Sequence, residues 1–307
     1  MTQTFLVTGA TGAQGGSAAR QLILQGFKVH ALVRNPLSKE AKSLHDLGVK
    51  IFKGDYMDIA AISEAIAGVS GVFLNTFPAE PERGEIKQAE LFVAAAQAAK
   101  TVTTFVVSTV FHSSEKLEFV SAKPGYAFLK FYYTQKKGVE QVVKAAGFQY
   151  WTILRPDWLY YNYLAPPSKI HFPKYQSDHI LTVSHEPSFK QTHFDPADVG
   201  KFAAAALAEP DKFHGETIEL SHEPLTYTEI AGYLSKASGV EVIVEYRSQE
   251  ETESLLATIP VLESQLLAKE LKFDYDAHAL EKYGIELRTL SEFLEREKPR
   301  LFETFGL

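Results

Sequence analysis

The sequence predicts an α/β protein, a doubly wound parallel sheet with a smaller mixed α/β cap. Three observations carry the prediction. The first half alternates short β-rich runs with helical segments, glycines fall at the joints between them, and the texture changes after Arg155-Pro156. Alternation of this kind argues for a parallel sheet covered by helices.

Taken in order, the strand candidates are Thr4–Thr8, Lys28–Val33, Lys50–Lys53, Gly71–Asn75, Thr104–Ser108 and Tyr150–Leu154. Between them, segments such as Gly15–Gln25 and Glu85–Ala99 carry alanine and leucine at helical spacing. Gly26, Gly48, Gly68 and Gly147 each stand just before a strand, where a helix C-cap and turn belong. Residues 158–192 are rich in aromatics, prolines and histidines and show no clear period. Phe194–Ala208 then reads as a helix with a D-P-A-D start, and Glu216–Leu220 as a further strand. From Thr226 helical patterns dominate, broken by an apolar alternation at Val240–Tyr246. The expected division is 1–157 plus 193–221 for the sheet domain, and 158–192 plus 222–307 for the cap.

Composition narrows the function. The 307 residues offer ample material for a buried core. With no cysteine, disulfides, thiolate zinc sites and cysteine nucleophiles are excluded, and a reducing compartment fits. A net charge of −7 gives no electrostatic reason to expect nucleic acid. The N-terminus runs directly into a strand, and no apolar run approaches the roughly 18 residues of a spanning helix. The expectation is a cytoplasmic protein that meets neither nucleic acid nor membrane.

The first strand leads into Gly9-Ala10-Thr11-Gly12-Ala13-Gln14-Gly15-Gly16 and then a helical run. Glycines suit a tight turn whose backbone approaches a pyrophosphate, and the helix N-terminus offers free N–H groups and a positive dipole end. The spacing is G-x-x-G-x-x-G, and glycines serving only the turn would look alike in isolation. Placed after the first strand and inside a βαβ unit, the motif reads as a Rossmann-type dinucleotide site. Gly9, Thr11, Gly12, Ala13, Gln14 and Gly15 are its expected members. The second strand ends in Val33-Arg34-Asn35-Pro36. An NAD-selective protein usually places an acid here for the ribose 2′-hydroxyl, whereas Arg34 suits a 2′-phosphate in bidentate fashion. Asn35 stands beside it and Lys39 adds charge, so the expected cofactor is NADP(H); a solvated surface arginine is the alternative. Asp55 and Tyr56 follow the third strand where a carboxylate can reach an adenine, though turn chemistry alone also accounts for Asp55. Asn75 and Thr76 complete the expected cofactor set.

The motif Val7–Gly16, the V-R-N-P after the second strand and the Gly54-Asp55 after the third resemble the NmrA-like branch of the atypical short-chain dehydrogenases/reductases. Lys136-x-x-Val139-Glu140, Tyr150-x-Thr152-Ile153-Leu154-Arg155-Pro156 and Asn162 extend the resemblance over roughly residues 4–240. The resemblance implies NADP(H) binding, together with either of two activities. Some members reduce quinones, dyes, ethers or specialised metabolites; others have lost catalysis and act as redox sensors through protein partners. Active short-chain reductases use a tyrosine and a lysine one helical turn apart, and an i,i+4 pair shares a helix face. The lysine bonds the nicotinamide ribose and lowers the phenol pKa, while the tyrosine donates a proton. Here Tyr132/Lys136, Tyr133/Lys137 and Tyr126/Lys130 all have that spacing. The family register makes Lys136 the lysine and Tyr132 its partner, a position where many relatives carry histidine.

Other candidates surround this pair. Ser108 and Thr109 close the fifth strand, where a third catalytic group usually lies, although a capping hydroxyl is an equal reading. By resemblance Pro156 and Asn162 line the nicotinamide end. The cluster Trp158, Tyr160, Tyr161, Tyr163 and Phe172 suggests an apolar pocket for a flat molecule, with Tyr133 and His112 beside it. Ordinary cap packing explains the aromatics equally well. His171, His179, His185 and His193 match no metal-site spacing, so no metal is expected. The leading expectation is an NADPH-dependent reductase of a hydrophobic or aromatic small molecule, and the alternative is an NADP(H)-sensing regulator.

Overall fold

The computed structural model describes residues 2–78 and 83–307. The chain forms two compact units: Met1–Ser114 with Tyr133–Pro156 and Pro196–Leu220, and Glu115–Tyr132 with Asp157–Asp195 and Ser221–Leu307.

The chain begins as an unbroken βα alternation. It runs β1 (Thr4–Val7), α1 (Ala13–Leu24), β2 (Lys28–Val33), α2 (Lys39–Asp46), β3 (Lys50–Lys53), α3 (Ile59–Ile66), β4 (Gly71–Asn75) and α4 (Glu85–Ala99). Next come β5 (Thr104–Ser108), α5 (Ser113–Ser121), α6 (Ala127–Ala145) and β6 (Tyr150–Pro156). Strands β7 (Trp158–Leu159), β8 (Ile180–Val183) and β9 (Lys190–Phe194) lie in the second unit. The helix Pro196–Ala208 and β10 (Thr217–Leu220) return to the first, while β11 (His222–Thr226) and β12 (Ile243–Tyr246) belong to the second.

All pairings in the large sheet are parallel, in the order β10-β6-β5-β4-β1-β2-β3. The strand order reverses beside β1, and the crevice outside the carboxyl ends of the strands there is where open α/β sheets take ligands. Leu6, Val72, Leu74, Phe92, Phe105 and Val139 share one buried cluster that fixes α4 and α6 against the strands. α1 is tied to the helix Pro196–Ala208, the Ser17 hydroxyl donating to the Ala197 carbonyl at 2.6 Å. β6 extends to Pro156, beyond the predicted end, because β10 pairs along it with Leu220 opposite Pro156.

The second unit carries β11-β9-β7 as one small sheet and β12-β8 as another. β11 runs antiparallel to β9, while β7 with β9 and β12 with β8 are parallel. Its core is aromatic, with Tyr160, Tyr163, Phe172, Tyr175, Tyr227 and Phe293 all buried. The aperiodic stretch 158–192 resolves into short strands and single helical turns, each too brief for a period to show. Phe194 belongs to β9 rather than to the predicted helix, which starts at Pro196. Residues 115–132 group with this unit and not with the sheet domain, a correction to the predicted boundary. The reason lies in two acids of the helix Glu263–Glu270: Glu263 accepts from the Leu129 amide at 2.9 Å, and Glu270 from the Tyr126 hydroxyl. No described helix is long and apolar enough to cross a membrane.

Candidate functional site

The head of α1 is shaped by its glycines. Gly9 has a φ of +59°, the left-handed region that glycine occupies without cost. A Cβ there would stand 3.6 Å from both the Asn75 amide nitrogen and the Tyr56 hydroxyl, so the turn is flanked by two predicted residues. Gly15 packs against backbone: a Cβ would lie 2.5 Å from the Gly9 carbonyl and close to that of Thr8. The N-cap is Gly12, extended and without a side chain to occupy the amides of the first turn. A helix start whose cap leaves first-turn N–H groups to a ligand, packed at Gly15 directly onto the turn backbone, fits a pyrophosphate. Thr11 and Gly12 are exposed, Ala13 and Gln14 half-buried.

The carboxyl ends of β2, β3 and β4 supply the flanks. Arg34 is exposed, and its guanidinium lies over the Phe77 ring at 5.5 Å. Asn35 closes a local turn by accepting from the Leu37 amide at 3.0 Å, and Lys39 sits exposed in the first turn of α2, behind its Ser38 cap. The Asp55 carboxyl is held below its usual range by the Met57 amide and by Arg83, with which it pairs at 2.7 Å. The Tyr56 hydroxyl donates to the Asn75 carbonyl at 3.2 Å. Desolvation pushes that phenol above its usual range, while Thr8, Gly9 and the charge of Arg34 pull it back.

On α6 the helical period sorts the candidates. Leu129, Tyr133, Lys136, Glu140 and Val143 are all buried, whereas Tyr132 is half-buried on the flank, its ring stacked with that of Phe128. Tyr133, expected beside a substrate pocket, is only 4% exposed because it shares the inward stripe. Lys136 donates to Glu85 Oε2 at 2.7 Å, both side chains nearly fully buried, and the Thr76 hydroxyl donates to the same oxygen. Ser108 donates to Gln14 at 2.8 Å, which links the end of β5 to the head of α1. Thr109 turns inward and donates to Glu140 at 2.9 Å. Glu140 also accepts from Ser113 and twice from Arg155, and Arg155 pairs with Glu219 at 2.7 Å. Glu219 accepts from the His112 amide, holding that residue at a φ of +50°. Pro156 ends β6, where its carbonyl accepts from the Phe111 amide.

The remaining candidates lie in the second unit. Tyr160 and Tyr163 are fully buried, bonded to Glu223 and His193 respectively, which makes them core residues and corrects their reading as pocket walls. Trp158 and Tyr161 stay half-buried. Trp158 meets His171 edge-on at 4.7 Å, and Tyr161 carries the Arg300 guanidinium over its ring at 5.1 Å. Asn162 lies in the 3₁₀ turn Tyr160–Tyr163. Among the described residues no cluster of histidines and acids could hold a metal ion. Sequence reasoning missed Glu85, Phe77, Gln88 and Glu219. The only local signal among them is Glu85 in the first turn of α4, where acids are common anyway.

A parallel sheet with a glycine turn at the head of its first helix, beside the reversal of strand order, is a Rossmann-type dinucleotide-binding fold. The chain belongs to the NmrA-like family, whose model matches residues 1–305. It is 27% identical over 246 residues to the NmrA-like family domain-containing oxidoreductase notA of Aspergillus sp. (strain MF297-2), covering 74% of this chain and 70% of that protein. Among solved structures it resembles the Escherichia coli NADPH-dependent quinone oxidoreductase QOR2 complexed with NADPH. That match has a TM-score of 0.71 at 22% identity and covers 95% of this chain and 99% of that one. It also resembles NmrA, a negative transcriptional regulator in complex with NAD. There the TM-score is 0.76 at 19% identity, over 100% and 98% of the two chains. At these identities the structural likenesses concern the fold.

Proposed function

We propose that this protein is an NADPH-dependent reductase of a hydrophobic or aromatic small molecule bearing an electrophilic C=O, C=C or C=N group. The first unit acts as the nucleotide domain and the second as the substrate-binding cap. The observation that carries the reading is the head of α1, with Gly9, Gly12 and Gly15 at the turn and an N-cap without a side chain, and Arg34 where an NAD-selective protein would carry an acid. Ala13 and Gln14 present their amides to the pyrophosphate beyond a turn closed by the Gly12 amide on the Gly9 carbonyl, Arg34 meets the 2′-phosphate, and Asn75 and Tyr56 flank the turn. NADPH supplies the hydride. Tyr132 delivers the proton to the reduced substrate, and Lys136, four residues on along α6, orients the nicotinamide ribose and favours the phenolate that remains. The family relation to named oxidoreductases supports the assignment, and the cysteine-free chain suits a reducing cytoplasm.

One observation favours a second reading, a non-catalytic NADP(H)-responsive regulator working through a protein partner. Lys136 is already engaged by a buried acid, Glu85. The two readings separate in one experiment. Titration with NADPH and NADH by fluorescence measures cofactor preference, and absorbance at 340 nm then follows NADPH with quinones, enones, imines and triarylmethane dyes. Oxidation on any acceptor supports the reductase; tight NADPH binding with no oxidation supports the regulator. Tyr132→Phe is expected to keep NADPH affinity and lose roughly 10²–10⁴-fold in turnover, the usual span of general acid catalysis. Unchanged turnover would remove Tyr132 from the mechanism.

A further inference from the structure

Phe77 is 57% exposed, unusual for so large an apolar ring, yet its backbone is held at both ends. Gln88, only 3% exposed, accepts from the Phe77 amide at 2.9 Å and donates to the Phe77 carbonyl at 2.7 Å. The same Gln88 nitrogen donates to the Arg83 carbonyl at 2.8 Å. A buried side chain thus fixes the backbone that carries an exposed ring just beyond β4. The Arg34 guanidinium rests on that ring at 5.5 Å. Among the described residues no acid forms an ion pair with Arg34, and Asp55, the acid after β3, is engaged by Arg83.

We infer that Phe77 is a specificity-determining residue, a fixed aromatic seat that orients Arg34 toward the 2′-phosphate of the nucleotide. The inference rests on the NADP(H) reading above. A surface arginine on a flexible stem loses rotamer freedom when it grips an anion. Stacking on Phe77 occupies the face of the guanidinium and leaves its N–H edge for bidentate bonds to a phosphate. Since NADPH and NADH differ only in that phosphate, loss of the seat weakens one ligand and spares the other.

The test is the ratio of dissociation constants for NADPH and NADH in the full chain, read by fluorescence titration. Adenosine 2′,5′-bisphosphate and 5′-AMP serve as probes of the adenosine end alone. Phe77→Ala is expected to weaken NADPH and the bisphosphate by roughly two- to fivefold, the strength of an exposed cation–π contact, with NADH and 5′-AMP unchanged. Phe77→Leu, apolar but without a π face, is expected to match Ala, and Phe77→Trp to preserve the preference. As the ring is exposed, these variants keep the fold. An unchanged ratio in Phe77→Ala, or an equal loss for both nucleotides, overturns the inference while leaving the NADP(H) reading intact. A wild-type protein without preference for NADPH overturns both.

Discussion

At the scale of single residues, the site is governed by what has no side chain and by what is buried with charge. Gly15→Ala would press a methyl group into the Gly9 and Thr8 carbonyls, which belong to backbone and cannot swing aside. A loss of about 1–3 kcal/mol is expected, together with weakened NADPH binding, and urea unfolding with a parallel titration measures both. Glu140 is the second case. Burial pushes its carboxyl up, but the hydrogen bonds and charge of Arg155, aided by Ser113 and Thr109, outweigh burial and hold it below its usual range. A carboxyl with a lowered folded pKa stabilises fully above its ordinary value of 4.5, and that stability is lost as pH falls below it. Glu140→Gln leaves Arg155 buried without its main partner, at an expected cost of about 3–5 kcal/mol at neutral pH by thermal or chemical denaturation. The glycines and Arg34 were legible in the sequence because their neighbours along the chain define their place. Glu85 was not, since the lysine it meets is 51 residues away and nothing local encodes that pairing.

At the scale of elements, the parallel strands could be read almost to the residue, β2 to β5 having the predicted bounds. The central strands β4 and β5 are short apolar runs buried on both faces, while at the edge strand β3 only Phe52 is fully buried and the turn chemistry on either side marks its ends. The second unit was opaque because its strands are as short as Trp158–Leu159 and its order comes from side chains that meet across the fold, such as Arg296 on Asp195. Two helix glycines give an element-level contrast. Gly200, in the helix Pro196–Ala208, faces α1 so closely that a Cβ would lie 2.5 Å from Ser17 Cβ and 2.6 Å from the Ala18 nitrogen. Gly138 on α6 instead meets the flexible tip of Ile86. Gly200→Ala is therefore expected to lose about 1–3 kcal/mol as the two helices are forced apart. Gly138→Ala is expected to lose less, because the Ile86 tip can move and the helix gains up to about 1 kcal/mol of propensity. Denaturant midpoints of the two variants, compared with wild type, decide the matter; equal losses would contradict close α1 packing as the cause.

At the scale of the whole molecule, the two units answer acid differently. In the second, burial lowers His171 to about 4 and His193 to about 4, and burial with the charge of Lys269 lowers His185 to about 3. These imidazoles stay neutral in the fold but protonate near 6.5 when unfolded. Their contribution is complete above that value, fades as pH falls below it, and is gone once the folded values are passed. Each proton gained on unfolding makes the decline steeper by about 1.4 kcal/mol per pH unit. In the first unit burial lowers one histidine, His30, and the lowered Glu140 acts only below about 4.5. The chain has two tryptophans, Trp151 in the first unit and Trp158 in the second. Acid titration of Trp151→Phe and Trp158→Phe should show Trp158 fluorescence changing at a higher pH than that of Trp151; coincident transitions would mean that the units unfold as one.

The interleaving of the units bears on how the chain is made. β6 receives its parallel edge partner only with β10, and the whole of Asp157–Asp195 leaves the ribosome between them. During synthesis the sheet therefore waits with an open edge for a strand that follows a large piece of the other unit. Chains halted before Thr217 should expose that edge and be sticky, whereas chains halted after Leu220 should have it covered.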